Sequence, residues 1–406
     1  MFKELLHIKN YKLFVVNMML LGIGIAITIP FLVLFATKEL GMSRPQFGLL
    51  LAAAAVSQFT VNAIVARFSD THTINRKFLV ICALFMGAMS FGLYFYIHNK
   101  WLYLVLYALF QGLFAPAMPQ MYASAREAIN QSSLRDRAKF ANAVLRSMFS
   151  FGFAFGPFIG SFFIDAQGFS GLFAGTITIV LFTLLLQVFF FKNVQTQHQV
   201  STQTHVEAKA PNMLKNLPLL IPFIGFILLH IGQWMYTMNI PLFITDYLHD
   251  TSRYVGVLAG ICAGLEVPFM IVLGVLSSKV GTRPLLMLGG LSGSVFFASI
   301  GIFDSIIAMI IGQIFLAFFL AILLGLGITY FQDILPDFPG YSSTLFANAM
   351  VIGQLCGNLL GGVMSDLVGL GQVFFVSATS LLLGVILIFF TQDQQFTKKD
   401  NGVDNA

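Results

Sequence analysis

Residues 13–35 of the chain read LFVVNMMLLGIGIAITIPFLVLF and contain no charged side chain. About 20 consecutive apolar residues are enough to cross the hydrocarbon core of a bilayer as a helix. Similar stretches follow along the rest of the chain, at residues 45–66, 78–97, 101–124, 140–164, 169–191, 219–243, 255–276, 285–303, 306–330, 342–368 and 372–390. The pattern predicts an all-α polytopic membrane protein with twelve transmembrane helices.

The positive charges alternate between the gaps that separate these stretches. Of the 22 Lys and Arg residues, 17 fall on the side that would hold both termini, 4 fall in the other gaps, and Arg146 lies within a span. Cytoplasmic loops retain positive charge, so we predict a multi-pass protein of the cell inner membrane with both termini cytoplasmic. Because the basic residues follow the topology and form no continuous patch, we expect no nucleic-acid partner.

The chain divides at residues 192–217, its longest internal hydrophilic stretch, which is rich in Gln, Thr and His. We predict a flexible cytoplasmic linker there, between an N-terminal six-helix bundle (1–191) and a C-terminal six-helix bundle with a cytoplasmic tail (218–406). The halves also echo each other, since FANA occurs at 140–143 and again at 346–349, and a glycine-rich segment follows each copy. A parallel repeat of this kind is typical of transporters that rock two bundles around a central site.

Several motifs carry a family resemblance. The loop from Arg67 to Lys77 resembles a degenerate form of the loop signature of the major facilitator superfamily, although it is one residue longer and lacks the usual glycine. The segment Gly152–Gly160 resembles that superfamily's antiporter motif. Further runs resemble the bacterial sugar efflux transporter family, at residues 119–127, 239–244, 264–268 and 330–333. The resemblance covers most of the chain and implies the major facilitator fold and proton-driven export of sugars or glycoside analogues.

Two charged side chains inside the spans are candidates for proton coupling. Glu266 lies 11 residues into its span, where a charge costs at least about 2.5 kcal/mol and is usually functional. We predict that it carries the coupled proton or binds the sugar directly; the alternative is a structural carboxyl bonded to a neighbouring helix. Arg146 is predicted to act in coupling or gating, and it could pair with Glu266 if their helix faces agree. Alternatively, Arg146 binds backbone carbonyls or reaches the interface.

A sugar site needs neutral hydrogen-bonding groups beside aromatic rings. In the seventh span, Gln233, Trp234 and Thr237 share one helical face with His230, and we expect His230 to be a buried neutral donor. The other candidate sugar ligands are Asn239, Gln354, Asn358 and Asn17. The alternative for each residue is interhelical packing, because polar side chains often join membrane helices without touching cargo.

Four charged residues near the predicted cytoplasmic ends are candidates for gating. These are Asp70, Arg76, Arg126 and Glu127. We predict that their charge contacts hold the cytoplasmic face closed. The alternative is a solvated loop whose basic residues only set the topology.

No motif for ATP binding, metal chemistry or acyl transfer occurs, so we expect neither an enzyme nor a cofactor. The leading prediction is a monomeric antiporter whose partners are protons, a small-molecule sugar and the lipid bilayer. The second is a proton antiporter of amphipathic drugs, favoured by the antiporter motif and by the 45 phenylalanines. A membrane sensor or enzyme without transport is the third, and no soluble domain or catalytic constellation favours it.

Overall fold

The computed structural model describes residues 2–71, 75–132, 134, 138–191, 213–336 and 338–391. Most of the predicted linker, at 192–212, and the side chain of Asp70 lie outside this description. The described residues form helices and short turns, with no strand among them. The predicted all-α class is therefore confirmed.

The membrane-crossing helices are numbered here in chain order. They are α1 (Tyr11–Lys38), α2 (Arg44–Thr71), α3 (Arg76–Gly92), α4 (Lys100–Ile129), α5 and α6 (the two parts of Ala138–Phe190), α7 (Leu217–Leu242), α8 (Arg253–Val280), α9 (Thr282–Ile302), α10 (Ile306–Ile334), α11 (Pro339–Val368) and α12 (Val373–Phe389). Within the described part of the chain, ten helices are long and apolar enough to cross a membrane; the longest contains both α5 and α6, and α12 is a shorter apolar helix. These helices correspond to the twelve predicted spans.

Local chemistry explains where several of these helices begin and end. Gly168 has φ +64° and separates α5 from α6, a backbone conformation that residues with a Cβ rarely adopt. The side chain of Asn99 accepts hydrogen bonds from the amides of Trp101 and Leu102, and Asn75 accepts one from Phe78. Both are helix N-caps. The connections in which Gly168, Asn75 and Asn99 lie are short, and short connections make consecutive helices antiparallel.

The described helices group into two compact units. Unit 1 comprises the described parts of residues 1–199 with 250–260, and unit 2 those of residues 200–249 with 261–406. In unit 1, α1 packs along α5 and α6, and α2 packs on α4. In unit 2, α7 packs between α11 and α12, and α9 packs on α10 and α12. The contacts of α1 with α5 and of α7 with α11 are called the α1–α5 seam and the α7–α11 seam below.

Glycine permits the close approach of helices in both seams. A Cβ on Gly152 would lie 2.0 Å from the backbone oxygen of Met19, and one on Gly156 would lie 2.4 Å from the Cβ of Ala26. In unit 2, a Cβ on Gly353 would lie 2.4 Å from the Cβ of His230. The glycines of the antiporter-like segment therefore serve helix packing, as small residues commonly do between membrane helices.

Large apolar side chains cover much of the outer surface. Phe189, Leu367 and Ile271 are about 70% exposed, at 74%, 71% and 67%. In a water-soluble protein such surface would be a liability. In a multi-pass membrane protein it is the surface that lipid solvates.

Candidate functional site

A polar face runs along α7 in unit 2. The Nδ1 atom of His230 lies 3.0 Å from Oε1 of Gln233, and the hydroxyl of Thr237 donates to the backbone oxygen of Gln233 at 2.9 Å. His230 is fully buried, whereas Gln233, Trp234 and Thr237 are partly buried. The predicted spacing thus produces one connected polar face, three members of which remain accessible.

Buried polar atoms without a protein partner accumulate beside this face. Within the described residues, no hydrogen-bond partner is found for Nε1 of Trp234, Nε2 of His230 or either amide atom of Asn358. Asn358 lies on α11, which approaches α7 closely: a Cβ added to Gly357 would lie only 2.9 Å from the Cβ of Trp234. Gln354, one turn earlier on α11, is partly buried. Unsatisfied buried polar groups are costly, so water or a polar ligand would stabilise this region.

The two other asparagine candidates bond to neighbouring protein groups. Asn239 is fully buried and donates to the backbone oxygens of Met235, at 2.9 Å, and Gly361, at 3.2 Å. Asn17 is fully buried in unit 1 and donates to Oε1 of Gln187 on α6 at 2.8 Å. Both arrangements fit the packing alternative. Gln187 was not predicted, although it is the only amide side chain in residues 169–191.

The two charged candidates belong to different units. Glu266 is partly buried on α8, one turn after the buried Cys262. Tyr236 of α7 lies near Cys262 and near Gln313 of α10, so polar groups from three helices gather on this side of unit 2. Arg146 is exposed on α5 in unit 1 and lies near Tyr122 of α4.

Two of the four gating candidates meet in unit 1. Nε of Arg76, at the start of α3, lies 2.7 Å from Oε1 of Glu127 near the end of α4. The same guanidinium donates to Oε1 of Gln120 at 2.8 Å. Arg126 is exposed, and the side chain of Asp70 is not among those described. The arrangement ties the start of α3 to the end of α4.

Unit 2 contains an equivalent contact 206 residues later. The hydroxyl of Thr282 donates to Oδ2 of Asp333 at 2.8 Å, and these positions follow Arg76 and Glu127 by the same interval that separates the two FANA runs. The neighbouring cations behave alike as well. Lys77 donates to the backbone oxygens of Val188 and Phe191 at the end of α6.

Arg283 likewise donates to the backbone oxygens of Ile388 and Phe389 at the end of α12. A cation at a helix C-terminus satisfies carbonyls that have no partner within the helix and opposes the helix dipole. Within the described residues, no group of His, Cys, Asp and Glu is arranged to hold a metal ion. The recurring features are therefore polar and ionic contacts between helices.

Repeated halves, twelve apolar helices and polar groups within the spans define a multi-pass membrane transporter. The pattern of the Major Facilitator Superfamily matches residues 14–292 and 222–405. The chain belongs to that superfamily, and as a member it transports small molecules across a membrane and is not an enzyme. The predicted fold and family are confirmed.

Known proteins similar to the chain agree with this assignment. It is 29% identical over 376 residues to "Sugar efflux transporter C" of Escherichia coli (strain K12), covering 92% of this chain and 94% of that protein. It is also 29% identical over 371 residues to "Sugar efflux transporter A" of Dickeya chrysanthemi, covering 91% and 92%. The crystal structure of the nucleoside transporter NupG has a TM-score of 0.79 at 13% identity, covering 94% of this chain and 99% of that one. This last likeness concerns the fold.

Proposed function

We propose that the protein is a proton-coupled secondary transporter that exports sugars or glycoside analogues by alternating access. The observation that carries the proposal is the polar face of α7, where Gln233, Trp234 and Thr237 are accessible inside a membrane-crossing helix. Sugars are recognised by hydrogen bonds to their hydroxyls and by stacking of their CH faces on rings. An amide, an indole and a hydroxyl on one face supply both. The similarity to bacterial sugar efflux transporters supports the same cargo.

Asn358 and Gln354 extend the proposed sugar site onto α11. Neither Nδ2 nor Oδ1 of Asn358 has a hydrogen-bond partner among the described residues. A sugar hydroxyl can donate to one atom and accept from the other, which would satisfy both. Asn239 on α7, and Asn17 on α1 of unit 1, are each retained as a candidate sugar ligand within its own unit, although their bonds to protein groups also explain their burial.

Glu266 is proposed as the proton carrier and Arg146 as a partner in coupling. Glu266 is partly buried within a membrane-crossing helix, where an ionised carboxyl is costly. Proton uptake would remove that cost. Proton exchange at this group would link the proton gradient to the alternation of the protein. Arg76 and Glu127 are proposed to hold unit 1 rigid at the predicted cytoplasmic end, with Asp70 and Arg126 as further gating charges.

The protein is further proposed to act as a monomer in the cell inner membrane with both termini cytoplasmic, an orientation supported by the charge asymmetry. Cysteine substitutions at residues 195–210 test this orientation. They are expected to react with membrane-impermeant reagents only after the cell is opened. Labelling from outside intact cells would reverse the topology.

Transport in inverted membrane vesicles tests the function as a whole. Labelled glucose, labelled lactose and a lipophilic cationic dye are each offered under an imposed proton gradient. We expect gradient-dependent accumulation of sugar, with none of the dye, and none of either in vesicles without the protein. Accumulation of the dye alone would replace sugar export by export of amphipathic drugs. The antiporter-like glycines do not favour that second cargo, because they are used in the α1–α5 seam.

A further inference from the structure

The imidazole of His230 is enclosed on every side that the structure describes. The side chain is 0% exposed. The ring of Phe346 lies edge-on to it with centroids 5.9 Å apart, and Gly353 leaves the space that His230 fills, since a Cβ there would be 2.4 Å away. Phe346 is itself held by the ring of Phe226 at 6.0 Å. The position of the imidazole is thus fixed by packing, and cargo cannot touch it.

The single polar contact of this ring defines its protonation. Oε1 of Gln233 is a carbonyl oxygen and only accepts hydrogen bonds. At 3.0 Å from it, Nδ1 of His230 must therefore carry the hydrogen. A charged ring is costly where water is excluded, and His230 is fully buried, so the ring is neutral and Nε2 is its acceptor nitrogen; that atom has no partner among the described residues. Nothing in the surroundings that the structure describes holds the ring in the other tautomer.

The consequence falls on Gln233. Its amide oxygen is turned toward His230, so its amide nitrogen, with two donor hydrogens, is the end directed away from that ring. Gln233 is partly buried, next to Trp234 on the accessible side of α7. An amide without this contact can rotate and turn either end toward a partner, whereas the bond to His230 fixes the oxygen beside the imidazole and turns the NH2 group away from it.

We propose that His230 is a positioning residue that fixes the Gln233 amide with its NH2 group toward the cargo, so that the protein selects a cargo oxygen that accepts a hydrogen bond. The inference rests on the proposed sugar site and goes beyond it by assigning a direction to one of its hydrogen bonds. It also accounts for a fully buried histidine in a membrane helix. A side chain needed only for packing would have no use for a polar ring with one nitrogen left unsatisfied.

Paired sugar derivatives reveal the direction of this bond. Monodeoxyglucoses lack one hydroxyl, while monodeoxyfluoroglucoses keep a weak acceptor at the same position but cannot donate. Both sets compete against uptake of labelled glucose into inverted vesicles. For one ring position, we expect the fluoro derivative to compete about twofold to threefold better than the deoxy derivative, because a weak acceptor gains only the lower end of the range of a neutral hydrogen bond. If Gln233 instead offered its oxygen, the two derivatives would compete equally.

Three substitutions of His230 test the clamp. Nδ2 of an asparagine occupies the place of Nδ1, because both atoms are bonded to Cγ, whereas the amide nitrogen of a glutamine lies one atom further out. We expect His230→Asn to keep the fluoro-to-deoxy preference, and His230→Gln and His230→Phe to lose it. In the latter two, KM should rise about threefold to tenfold with little change in maximal rate. If His230→Phe does not fold, the comparison of His230→Asn with His230→Gln still decides.

The outcomes separate this inference from the proposed function. If Gln233→Ala raises KM and removes the preference while His230→Gln and His230→Phe keep it, the sugar site stands and the positioning role is overturned. If Gln233→Ala changes neither KM nor the fluoro-to-deoxy preference, Gln233 does not contact sugar. The proposed sugar contact and the positioning role of His230 then both fail at this residue. If the wild-type protein accumulates no sugar, the proposed function fails and takes the inference with it. Thermal stability and membrane levels, measured for each variant, exclude an effect of misfolding.

Discussion

The α1–α5 seam and the α7–α11 seam are built alike but filled differently. Each brings two helices into close contact through a row of glycines, so that a Cβ on Gly152 would meet the backbone of Met19 and one on Gly357 would lie 2.8 Å from the backbone oxygen of Ile231. The polar amide of α1, Asn17, is paired with Gln187. On α7 and α11, by contrast, polar atoms remain unpaired.

The difference concerns how many buried polar atoms each seam leaves without a described partner. In unit 1 the pair of Asn17 with Gln187 of α6 leaves two, Oδ1 of Asn17 and Nε2 of Gln187, whereas α7 and α11 leave five, on His230, Trp234, Asn239 and Asn358. Buried unpaired groups lower stability, so a chain retains them where they serve another purpose. The two halves share their close glycine packing, while α7 and α11 of unit 2 carry more unpaired polar atoms, among them those of the proposed sugar ligands Trp234 and Asn358.

The largest effect is expected from a substitution of Glu266, the candidate proton carrier in unit 2. Glu266→Gln keeps the size and the hydrogen-bonding capacity of the side chain but removes the proton. We expect gradient-driven sugar accumulation in inverted vesicles to be abolished, while exchange of labelled for unlabelled sugar without a gradient continues.

An acid of unit 1 supplies the control for this experiment. Asp165 lies exposed on α5, and Asp165→Asn should leave both activities at the wild-type level. If Glu266→Gln accumulates sugar normally, Glu266 is not the proton carrier and is left with a structural role. If Asp165→Asn abolishes accumulation instead, coupling belongs to unit 1 and the contrast between the units is reversed.

Stability tests the part of the comparison in which the seams agree. Gly152→Ala and Gly357→Ala each place a methyl group against backbone, and we expect each to destabilise the purified protein by about 1–3 kcal/mol through overpacking. Gly152→Ala should cost more, because its contact of 2.0 Å is shorter than the 2.8 Å contact at Gly357. Thermal unfolding in detergent measures both.

Gly274→Ala is the matched control, since nothing lies within 4 Å of a Cβ at that position. It should unfold at the wild-type temperature. Equal unfolding temperatures for all three variants would show that the glycine rows are not close contacts, and the two seams would no longer be comparable.

The sequence was sufficient for the helices and for the faces within one helix. Long apolar runs predicted each span, and the break between residues 164 and 169 contains Gly168, where the backbone turns. Helix ends were less accurate: α2 was predicted to end at 66 and continues to Thr71. Hydropathy detects only the apolar part of a helix, and turns that reach water can carry charge.

Contacts between distant helices could not be predicted. Arg76 and Glu127 were both candidates, but their bond joins residues 51 positions apart, and that of Asn17 with Gln187 joins residues 170 apart. Such pairs depend on the rotation of each helix about its axis, which a pattern of apolar residues defines only to within a broad face. The bond of His230 with Gln233 spans one helical turn, and for that reason the spacing alone predicted a common face.

Amide-to-leucine substitutions test the part of the comparison in which the seams differ. Leucine has nearly the shape of asparagine. Asn17→Leu leaves Oε1 of Gln187 buried and unpaired, so we expect a loss of about 1–3 kcal/mol of stability. Asn358→Leu removes two atoms that have no described partner, and it should leave stability unchanged or raise it while weakening sugar transport.

Unfolding temperature and sugar KM are measured on the same preparations of these two variants. A clear loss of stability in Asn358→Leu would mean that its amide is already satisfied within the protein, and the proposed reason for its retention would fail. A gain of stability together with a raised KM is the result that the comparison requires.

The smallest effect is expected at the predicted cytoplasmic ends, where the two units solve one problem with different chemistry. Unit 1 joins α3 to α4 by the ion pair of Arg76 with Glu127, while unit 2 joins α9 to α10 by a hydrogen bond from Thr282 to Asp333. Both partners of the ion pair are partly exposed. Its coupling energy in a double-mutant cycle should therefore be only about 0.2–1 kcal/mol.

Salt distinguishes the two contacts. Screening shortens from about 10 Å at 0.1 M to about 3 Å at 1 M ionic strength, so the coupling between Arg76→Ala and Glu127→Ala should shrink over this range. The coupling between Thr282→Val and Asp333→Asn joins a neutral donor to a carboxylate, and it should change less. If both coupling energies respond equally to salt, the ion pair of unit 1 and the hydrogen bond of unit 2 do not differ in their electrostatic contribution to stability. If only the first coupling responds, the rigidity of unit 1 at this end depends on ionic strength. High salt should then lower the rate of sugar transport by the wild-type protein. It should not lower the rate of Glu127→Gln, in which the charge attraction is already absent.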